Sequence, residues 1–425
     1  MGKDKNLSSY EVLLAFFDEG SFTQLDALYT GGSEAAEVVT GFGTVDGMPA
    51  YAFAQSADVC GGAMSKAQSL KITKLYNAAL KTGAPVVGFF DSIGGRLEQG
   101  NDLLAAYGNI LRKSSKLSGV VPQISVVLGN CVGASALIAR AADFVIMTKD
   151  ALLTLNTSGA AGSAEDNLND GTAQFVVDTC EDAVQKAKTL LGYLPSNNLE
   201  ASPAYEPLPT YENPEKLPKY IADDGSLLCV GSGEGVCTAL GRVDGSTVGF
   251  VVSHGEDITS SMARKIARHV RFCDAFSIPV ITIADAKSFD NLNDASSLVS
   301  VYAEATTAKI SVISGTAYGA VYLALAGSAC GADVVYALPD ATISPVSPEA
   351  AAYLMDSSIA DLPYEEQSAA INAYIRSNLT AEKAARDGYV DDIVDKNELR
   401  GKIAAALRML SSKRVATLPK KHTTN

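Results

Sequence analysis

The sequence predicts an α/β protein made of two homologous halves, each a spiral of ββα turns, and three observations carry that expectation. First, the chain repeats itself. Ile124-Ser125-Val126-Val127-Leu128-Gly129-Asn130-Cys131-Val132-Gly133-Ala134 aligns without gaps on Ile310-Ser311-Val312-Ile313-Ser314-Gly315-Thr316-Ala317-Tyr318-Gly319-Ala320. Gly43-Thr44-Val45-Asp46-Gly47 matches Gly241-Arg242-Val243-Asp244-Gly245, the run from Pro85 to Asp91 matches that from Pro279 to Asp285, and Ala142-Asp143-Phe144-Val145 matches Ala332-Asp333-Val334-Val335. Landmarks recurring in one order are the mark of duplication. Second, apolar strands alternate with helical stretches, which is right-handed α/β winding. Third, each half opens on an Asp-Gly hairpin dipeptide, so the winding is a ββα spiral rather than a doubly wound sheet.

The elements follow in order. Ser8–Asp18 places Val12, Leu13, Phe16 and Phe17 at helical spacing and stops at Gly20. Strands over Ala36–Thr44 and Ala50–Gln55 meet across Asp46-Gly47. Ser65–Lys81 is helical, Pro85–Asp91 is a strand covered on both faces, and Leu103–Leu117 is a second helix. Gln123–Leu128 is a strand, Ala134–Ala141 a helix begun directly after a small-residue turn, and Phe144–Thr148 and Leu152–Leu155 close the half. Leu194 to Pro214 carries five prolines (195, 203, 207, 209, 214) and little periodicity, which marks a linker between domains at 1–195 and 216–425. A helix over Leu399–Ser411 leads into the tail.

Composition excludes several functions. Of 425 residues, 47% are apolar and 19% charged, ordinary for a folded chain of two or three domains. A net charge of −14 argues against nucleic-acid binding and against adhesion to anionic lipid. The apolar region Ile124–Met147 is broken by Asn130, Arg140 and Asp143, so no direct membrane insertion is expected. Seven scattered cysteines without CxxC spacing read as buried thiols of a reducing cytoplasm. The three histidines lie far apart, and no metal site is expected.

The chemistry resides in the turns. Gly94-Gly95 follows the strand ending at Asp91, and Gly133-Ala134 follows the neighbouring strand. Backbone N–H groups converging from adjacent turns, one at a helix start, form an oxyanion hole, and only small residues let a carbonyl oxygen approach. For a single pair of turns, close helix–strand packing is the better explanation of the same glycines; the duplication at matching offsets favours the hole. Asp91 and Asp285 stand at strand ends as bases or as turn caps. Ser92 and Ser135 have no histidine nearby for a Ser-His-Asp site. Gly231-Ser232-Gly233-Glu234-Gly235 lacks the Lys-Ser/Thr of a P-loop. Tyr318 and Tyr322 flank the second turn, as ligand-surface or core residues.

Several motifs resemble biotin-dependent acyl-CoA carboxyltransferases: Gly20-Ser21-Phe22, Val39-Thr40-Gly41-Phe42-Gly43, Gly61-Gly62-Ala63-Met64-Ser65 and Gly119-Val120-Val121-Pro122-Gln123-Ile124-Ser125. So do Arg271-Phe272-Cys273-Asp274-Ala275-Phe276, Tyr302-Ala303-Glu304-Ala305-Thr306, Gly331-Ala332-Asp333-Val334-Val335-Tyr336-Ala337 and Leu418-Pro419-Lys420-Lys421-His422. The family includes propionyl- and acetyl-CoA carboxylase β subunits and the carboxyltransferase subunits of methylmalonyl- and glutaconyl-CoA decarboxylases. The resemblance implies two tandem crotonase-like ββα spiral domains in a homo-oligomer, either a dimer or a hexamer. It implies transfer of a carboxyl group between biotin, carried by a partner, and a short acyl-CoA such as propionyl-CoA or methylmalonyl-CoA.

By position, Gly95 with Gly133 and Ala134 would serve the thioester, and Gly319, Ala320 and Val321 the biotin, with Gly94, Tyr318 and Tyr322 as further binding residues. No biotinyl-lysine context occurs here, so a biotin carboxyl carrier protein is the implied partner, alongside a biotin carboxylase or a membrane decarboxylase subunit. The sequence also departs from the family. Asp-Ser-Gly-Gly-Ala-Arg-Ile-Gln-Glu-Gly appears as Asp91-Ser92-Ile93-Gly94-Gly95-Arg96-Leu97-Glu98-Gln99-Gly100. Tyr-Gly-Gly-Ala-Tyr appears as Tyr318-Gly319-Ala320-Val321-Tyr322. The Pro-Gly-Phe-Leu-Pro-Gly loop is shortened to Ala286–Leu292, the stretch Ser158–Val177 lacks a Gly-Gly turn and a histidine, and a late Met-Gly is Pro345-Val346. An alternative reading is therefore a non-catalytic paralogue acting as a scaffold or regulatory subunit.

Overall fold

The computed structural model describes residues 7–32, 37–156, 162–231 and 235–415. The centre of the Gly231–Gly235 loop and the closing Leu418–His422 motif lie outside the described residues, as do Ala36 and the beginning of Ser158–Val177. The chain divides into two compact units, Met1–Pro203 and Ala204–Asn425. The division falls inside the proline-rich stretch. Asn197 and Asn198 bond back to Gly83 and Val120 in the first unit, whereas Tyr205 bonds Gly245 in the second.

Unit 1 runs α1 (Ser9–Phe16), β1 (Thr23–Leu25), β2 (Val38–Val45), β3 (Met48–Gln55), α2 (Lys66–Thr82), β4 (Val86–Ser92), α3 (Asp102–Leu117) and β5 (Gln123–Val132). It continues through α4 (Ala134–Arg140), β6 (Phe144–Thr148), β7 (Leu152–Thr154), α5 (Ala164–Asn169), β8 (Phe175–Val177) and α6 (Cys180–Leu191). The sheet order is β1-β2-β3-β4-β5-β6-β8, with β7 paired to β5. The first three strands are antiparallel and the rest parallel.

Unit 2 runs α7 (Leu217–Ile221), β9 (Leu228–Gly231), β10 (Val236–Val243), β11 (Ser246–Ser253), α8 (Ser260–Ala275), β12 (Val280–Ala286), α9 (Leu292–Glu304) and β13 (Lys309–Tyr318). Then come α10 (Gly319–Val321), a π-helical turn over Tyr322–Ala326, β14 (Val334–Ala337), β15 (Thr342–Ser344), α11 (Pro348–Met355), α12 (Tyr364–Asn378), α13 (Ala381–Arg386), β16 (Asp392–Ile393) and α14 (Lys396–Leu410). Its sheet, β16-β14-β13-β12-β11-β10-β9 with β15 on β13, repeats the first in reverse listing order.

The hairpins show why the repeat folds twice. At Asp46-Gly47 and Asp244-Gly245 both residues have positive φ (47° and 78°; 55° and 77°), the type I′ geometry that suits twisted strands. One upstream carboxylate caps each turn: Asp18 accepts from the amides of Asp46 and Gly47, and Asp223 from those of Asp244 and Gly245. Each central strand is then buried on both faces. Val86, Val87, Phe89 and Phe90 in β4, and Val280, Ile281, Ile283 and Ala284 in β12, are at most 2% exposed. Helices cover these strands with apolar stripes, such as Ile72, Leu75, Tyr76 and Ala79 of α2 and Ile266, Val270 and Cys273 of α8.

Two expectations change. The strand expected over Gln123–Leu128 extends to Val132, because residues beyond Leu128 pair with β7 instead of ending in a turn. The cysteines are not uniformly buried: Cys131 and Cys273 are, but Cys60 and Cys229 are exposed on short loop and edge segments. Among the described residues no helix is long and apolar enough to cross a membrane.

Candidate active site

Parallel strands deliver their C-terminal ends to one edge of the sheet, and in unit 1 the turns after β4 and β5 meet there. The Gly94 Cα carries its would-be side chain 3.9 Å from Val132 Cγ2, and φ of 121° at Gly94 lets the chain reverse. The peptide that follows is clamped. Met64 N–H donates to Gly94 C=O at 2.7 Å, and Arg96 N–H donates to Met64 C=O at 2.9 Å. In a trans peptide the N–H points opposite to the C=O, so the Gly95 N–H faces away from Met64, and no described group bonds it. Arg96 is anchored in turn by Glu37 (2.5 Å), a buried carboxylate, and by Glu98 (2.7 Å). A Cβ at Gly95 would sit 2.9 Å from Leu103 Cδ1 and 3.2 Å from Tyr107 Oη, so a side chain there requires both neighbours to shift.

A second amide stands at the start of α4. Gly133 precedes it with φ 66° and ψ −137°, a conformation essentially confined to glycine. Its own N–H donates to Thr154 C=O at 2.9 Å. Gly133 therefore shapes the turn and does not supply its donor; the next amide, Ala134, has no described partner, as expected for the first turn of a helix. Tyr107 Oη lies 3.4 Å from Ser135 Oγ, which ties α3 to the start of α4 beside Gly95. Burial holds the Tyr107 phenol above its ordinary pKa. Gly94 N–H is taken by Ser92 Oγ at 3.3 Å, so Gly94 and Ser92 form the turn rather than a binding group.

Unit 2 rebuilds this clamp from different residues. Ile258 N–H donates to Ser288 C=O at 2.8 Å, and Asp290 N–H donates to Ile258 C=O at 3.1 Å. The peptide between them is Phe289, which pairs with Ile258 as Gly95 pairs with Met64, and its N–H has no described partner. The Phe289 amide is thus the counterpart of Gly95, within the loop that reads as shortened. From sequence it is masked by a bulky residue where unit 1 has glycine. The available signal is its spacing of four residues after Asp285, the same as that of Gly95 after Asp91.

Gly319 takes φ 43° and its would-be Cβ lies 2.8 Å from Pro345 C=O, so it too is held to glycine by backbone. Ala320 is not among the residues with positive φ, and Val321 is helical (φ −66°, ψ −48°), so a Cβ at Ala320 is accommodated. The amides of Ala320 and Val321 begin a short α-turn that widens to a π-turn, a form often found at functional sites. Tyr318 is half-buried at this turn with its phenol pKa raised, first by burial and then by Glu349 and Asp285. Tyr322 points elsewhere: its hydroxyl donates to Tyr389 C=O at 2.7 Å, fixing the π-turn to the chain before β16.

Two units, each with the same strand order and the same clamp after its second parallel strand, make the architecture a duplicated ββα spiral, and residues 2–425 match the family described as the carboxyl transferase domain. The chain belongs to the carboxyl transferase family. Methylmalonyl-CoA decarboxylase subunit alpha of Veillonella parvula is 33% identical over 477 residues, covering 98% of this chain and 92% of that protein. That alignment is longer than the chain, so the relative carries stretches absent here. The methylmalonyl-CoA carboxyltransferase 12S subunit of Propionibacterium freudenreichii subsp. shermanii is 34% identical, covering 91% of this chain and 83% of its own length. The transcarboxylase 12S crystal structure with hydrolysed methylmalonyl-CoA bound matches with a TM-score of 0.93 at 32% identity, covering 99% of this chain and 92% of that one. This carboxyltransferase is accordingly two tandem crotonase-type domains, and its clamped turns lie at corresponding places in the two.

Proposed function

We propose that this carboxyltransferase moves a carboxyl group between biotin on a partner carrier protein and a short acyl-CoA of the propionyl-CoA or methylmalonyl-CoA kind. The observation that carries the reading is the duplicated clamp, which leaves the Gly95 and Phe289 amides without a partner among the described residues, each in a unit that also carries a helix-start amide, Ala134 or Ala320. Each pair of donors suits one oxygen that gains negative charge. Following the family resemblance, Gly95 and Ala134 take the thioester oxygen as the enolate forms, and Phe289 with Ala320 and Val321 takes the ureido oxygen of biotin. Biotin itself supplies the carboxyl group and, once relieved of it, the nitrogen that accepts the proton from the carbon beside the thioester. The chain then needs no general base, which fits a site whose aspartates are occupied with backbone amides.

Donors fixed before the reaction stabilise the charge without reorganising, each contributing about 3–4 kcal/mol by comparison with other oxyanion holes. Both substrates must meet, so the reading includes a homo-oligomer, dimer or hexamer, in which unit 1 of one protomer faces unit 2 of another. Exposed apolar residues around the turns support such a face: Ile93, Leu97, Leu137 and Leu155 in unit 1, and Leu292, Leu323 and Val346 in unit 2. The carrier protein is the first partner, with a biotin carboxylase or a membrane decarboxylase subunit completing the complex in the cytoplasm.

The test mixes purified protein with a biotinylated carrier domain, malonyl- or methylmalonyl-CoA as carboxyl donor and propionyl- or acetyl-CoA as acceptor, and follows carboxyl exchange chromatographically. Exchange with at least one short acyl-CoA is expected. No exchange with any of them overturns the enzymatic reading, and binding without exchange favours the scaffold.

A further inference from the structure

In both units the strand carrying the helix-start donor changes partner halfway along. Residues Ile124–Val127 of β5 pair with β6, whereas Asn130–Val132 pair with β7; likewise Ile310–Ile313 pair with β14 and Thr316–Tyr318 with β15. The change occurs at an identical irregularity. On the β4 side Phe90 faces Val127 and Ser92 faces Cys131, so Asp91 alone stands opposite Leu128, Gly129 and Asn130. On the β12 side Ala284 faces Ile313 and Ala286 faces Ala317, so Asp285 alone stands opposite Ser314, Gly315 and Thr316. Two extra residues bend each strand toward its donor turn.

The lone aspartate fills each bulge. Asn130 N–H donates to Asp91 Oδ1 at 3.1 Å; Thr316 N–H and Oγ1–H donate to Asp285 Oδ1 at 2.8 and 3.0 Å. The carboxylates occupy the space where a Cβ would stand on Gly129 and Gly315, which accounts for glycine there in both halves. The aspartates are themselves held: Asp91 N–H donates to Gln55 Oε1 at 3.2 Å and Asp285 N–H to Ser253 Oγ at 2.9 Å. The Asp285 carbonyl also accepts from Gly255 N–H at 2.7 Å.

We propose that Asp91 and Asp285 are positioning residues, each pinning the bulge that aims one donor turn, Asp91 for Ala134 and Asp285 for Ala320. The inference rests on the carboxyl transfer proposed above and adds a division of labour: one pin serves the acyl-CoA side, the other the biotin side. The task requires an acceptor oxygen and not a titrating acid, so asparagine, which keeps Oδ1, substitutes for aspartate, whereas alanine does not.

The experiment compares Asp91→Asn, Asp91→Ala, Asp285→Asn and Asp285→Ala in the full chain by carboxyl exchange kinetics and by amide hydrogen exchange of peptides spanning 128–134 and 314–320. Asparagine variants should stay within about five-fold of the parent, and alanine variants should fall about 100-fold, the cost of an ångström-scale misplacement. Asp91→Ala should disturb the acyl-CoA parameters with KM for the biotinylated carrier unchanged, and Asp285→Ala the reverse. Each should deprotect only its own bulge. Asparagine as damaging as alanine, equal effects on both substrates, or bulges as protected as in the parent overturns the proposal. A parent protein without exchange removes the reaction itself; unaltered hydrogen exchange in the alanine variants, with the parent active, removes only the pins.

Discussion

Gly133→Ala separates backbone strain from steric crowding, because a Cβ there meets nothing within 4 Å while φ 66° and ψ −137° exclude an L side chain. Two responses compete. Holding the native dihedrals costs about 1–3 kcal/mol of strain. Rotating the peptide gives up the Gly133–Thr154 hydrogen bond (2.9 Å), a loss of about 1 kcal/mol. Rotation is the smaller cost, so the variant relaxes that way, and the Ala134 amide leaves its aim. The expected result is a stability loss of only about 1–2 kcal/mol in urea unfolding, with kcat for carboxyl exchange down about 10²–10³-fold, as for loss of one oxyanion donor. Gly20→Ala is the control, since Gly20 also has positive φ (74°) and an open Cβ position but lies in the turn between α1 and β1. It should lose comparable stability and retain its rate. A Gly133→Ala protein that loses stability but exchanges carboxyl groups at the parental rate refutes the assignment of Ala134 as a donor.

Three further outcomes follow from the same structure. Arg96→Met leaves the buried Glu37 with Ser65 (3.0 Å) as its one remaining side-chain hydrogen-bond partner among the described residues, so urea unfolding should show a loss of about 3–5 kcal/mol; a loss below about 1 kcal/mol would mean the pair is not buried as described. Cys229 is exposed with its Sγ 3.7 Å from Cys237, whose hydrogen bond pulls its pKa down to about 6, so iodoacetamide at pH 7 should alkylate it well before buried Cys131 and Cys273. Peptide mapping showing the reverse order would contradict this. Burial pushes His269 down to about 4, below its unfolded value; the unfolded chain therefore binds more protons between pH 6.5 and 4, and stability falls as pH drops through that window. His269→Gln should flatten that slope by up to about 1.4 kcal/mol per pH unit, and an unchanged slope would show that His269 is protonated in the folded state.

Much of this was legible in the residues themselves. The duplicated strand-and-turn phrase, the Asp-Gly hairpins and the apolar runs are local signals, because backbone dihedrals at glycine and side-chain alternation are set within a few residues. They suffice for the two halves and most element positions, and the longer motifs suffice for the family. Which amides remain available is a different kind of question. Gly133 loses its N–H to Thr154 and Tyr322 its hydroxyl to Tyr389, while the Phe289 amide, held by Ile258 on either side, meets no acceptor among the described residues. Asp91 and Asp285 become pins only because β5 and β13 take two extra residues beside them. Each of these facts depends on a partner brought alongside by parallel pairing across intervening helices. Composition and spacing fix which turns exist; only the packed sheet decides which hydrogen bonds they have already spent, since those partners are distant along the chain and adjacent only in space.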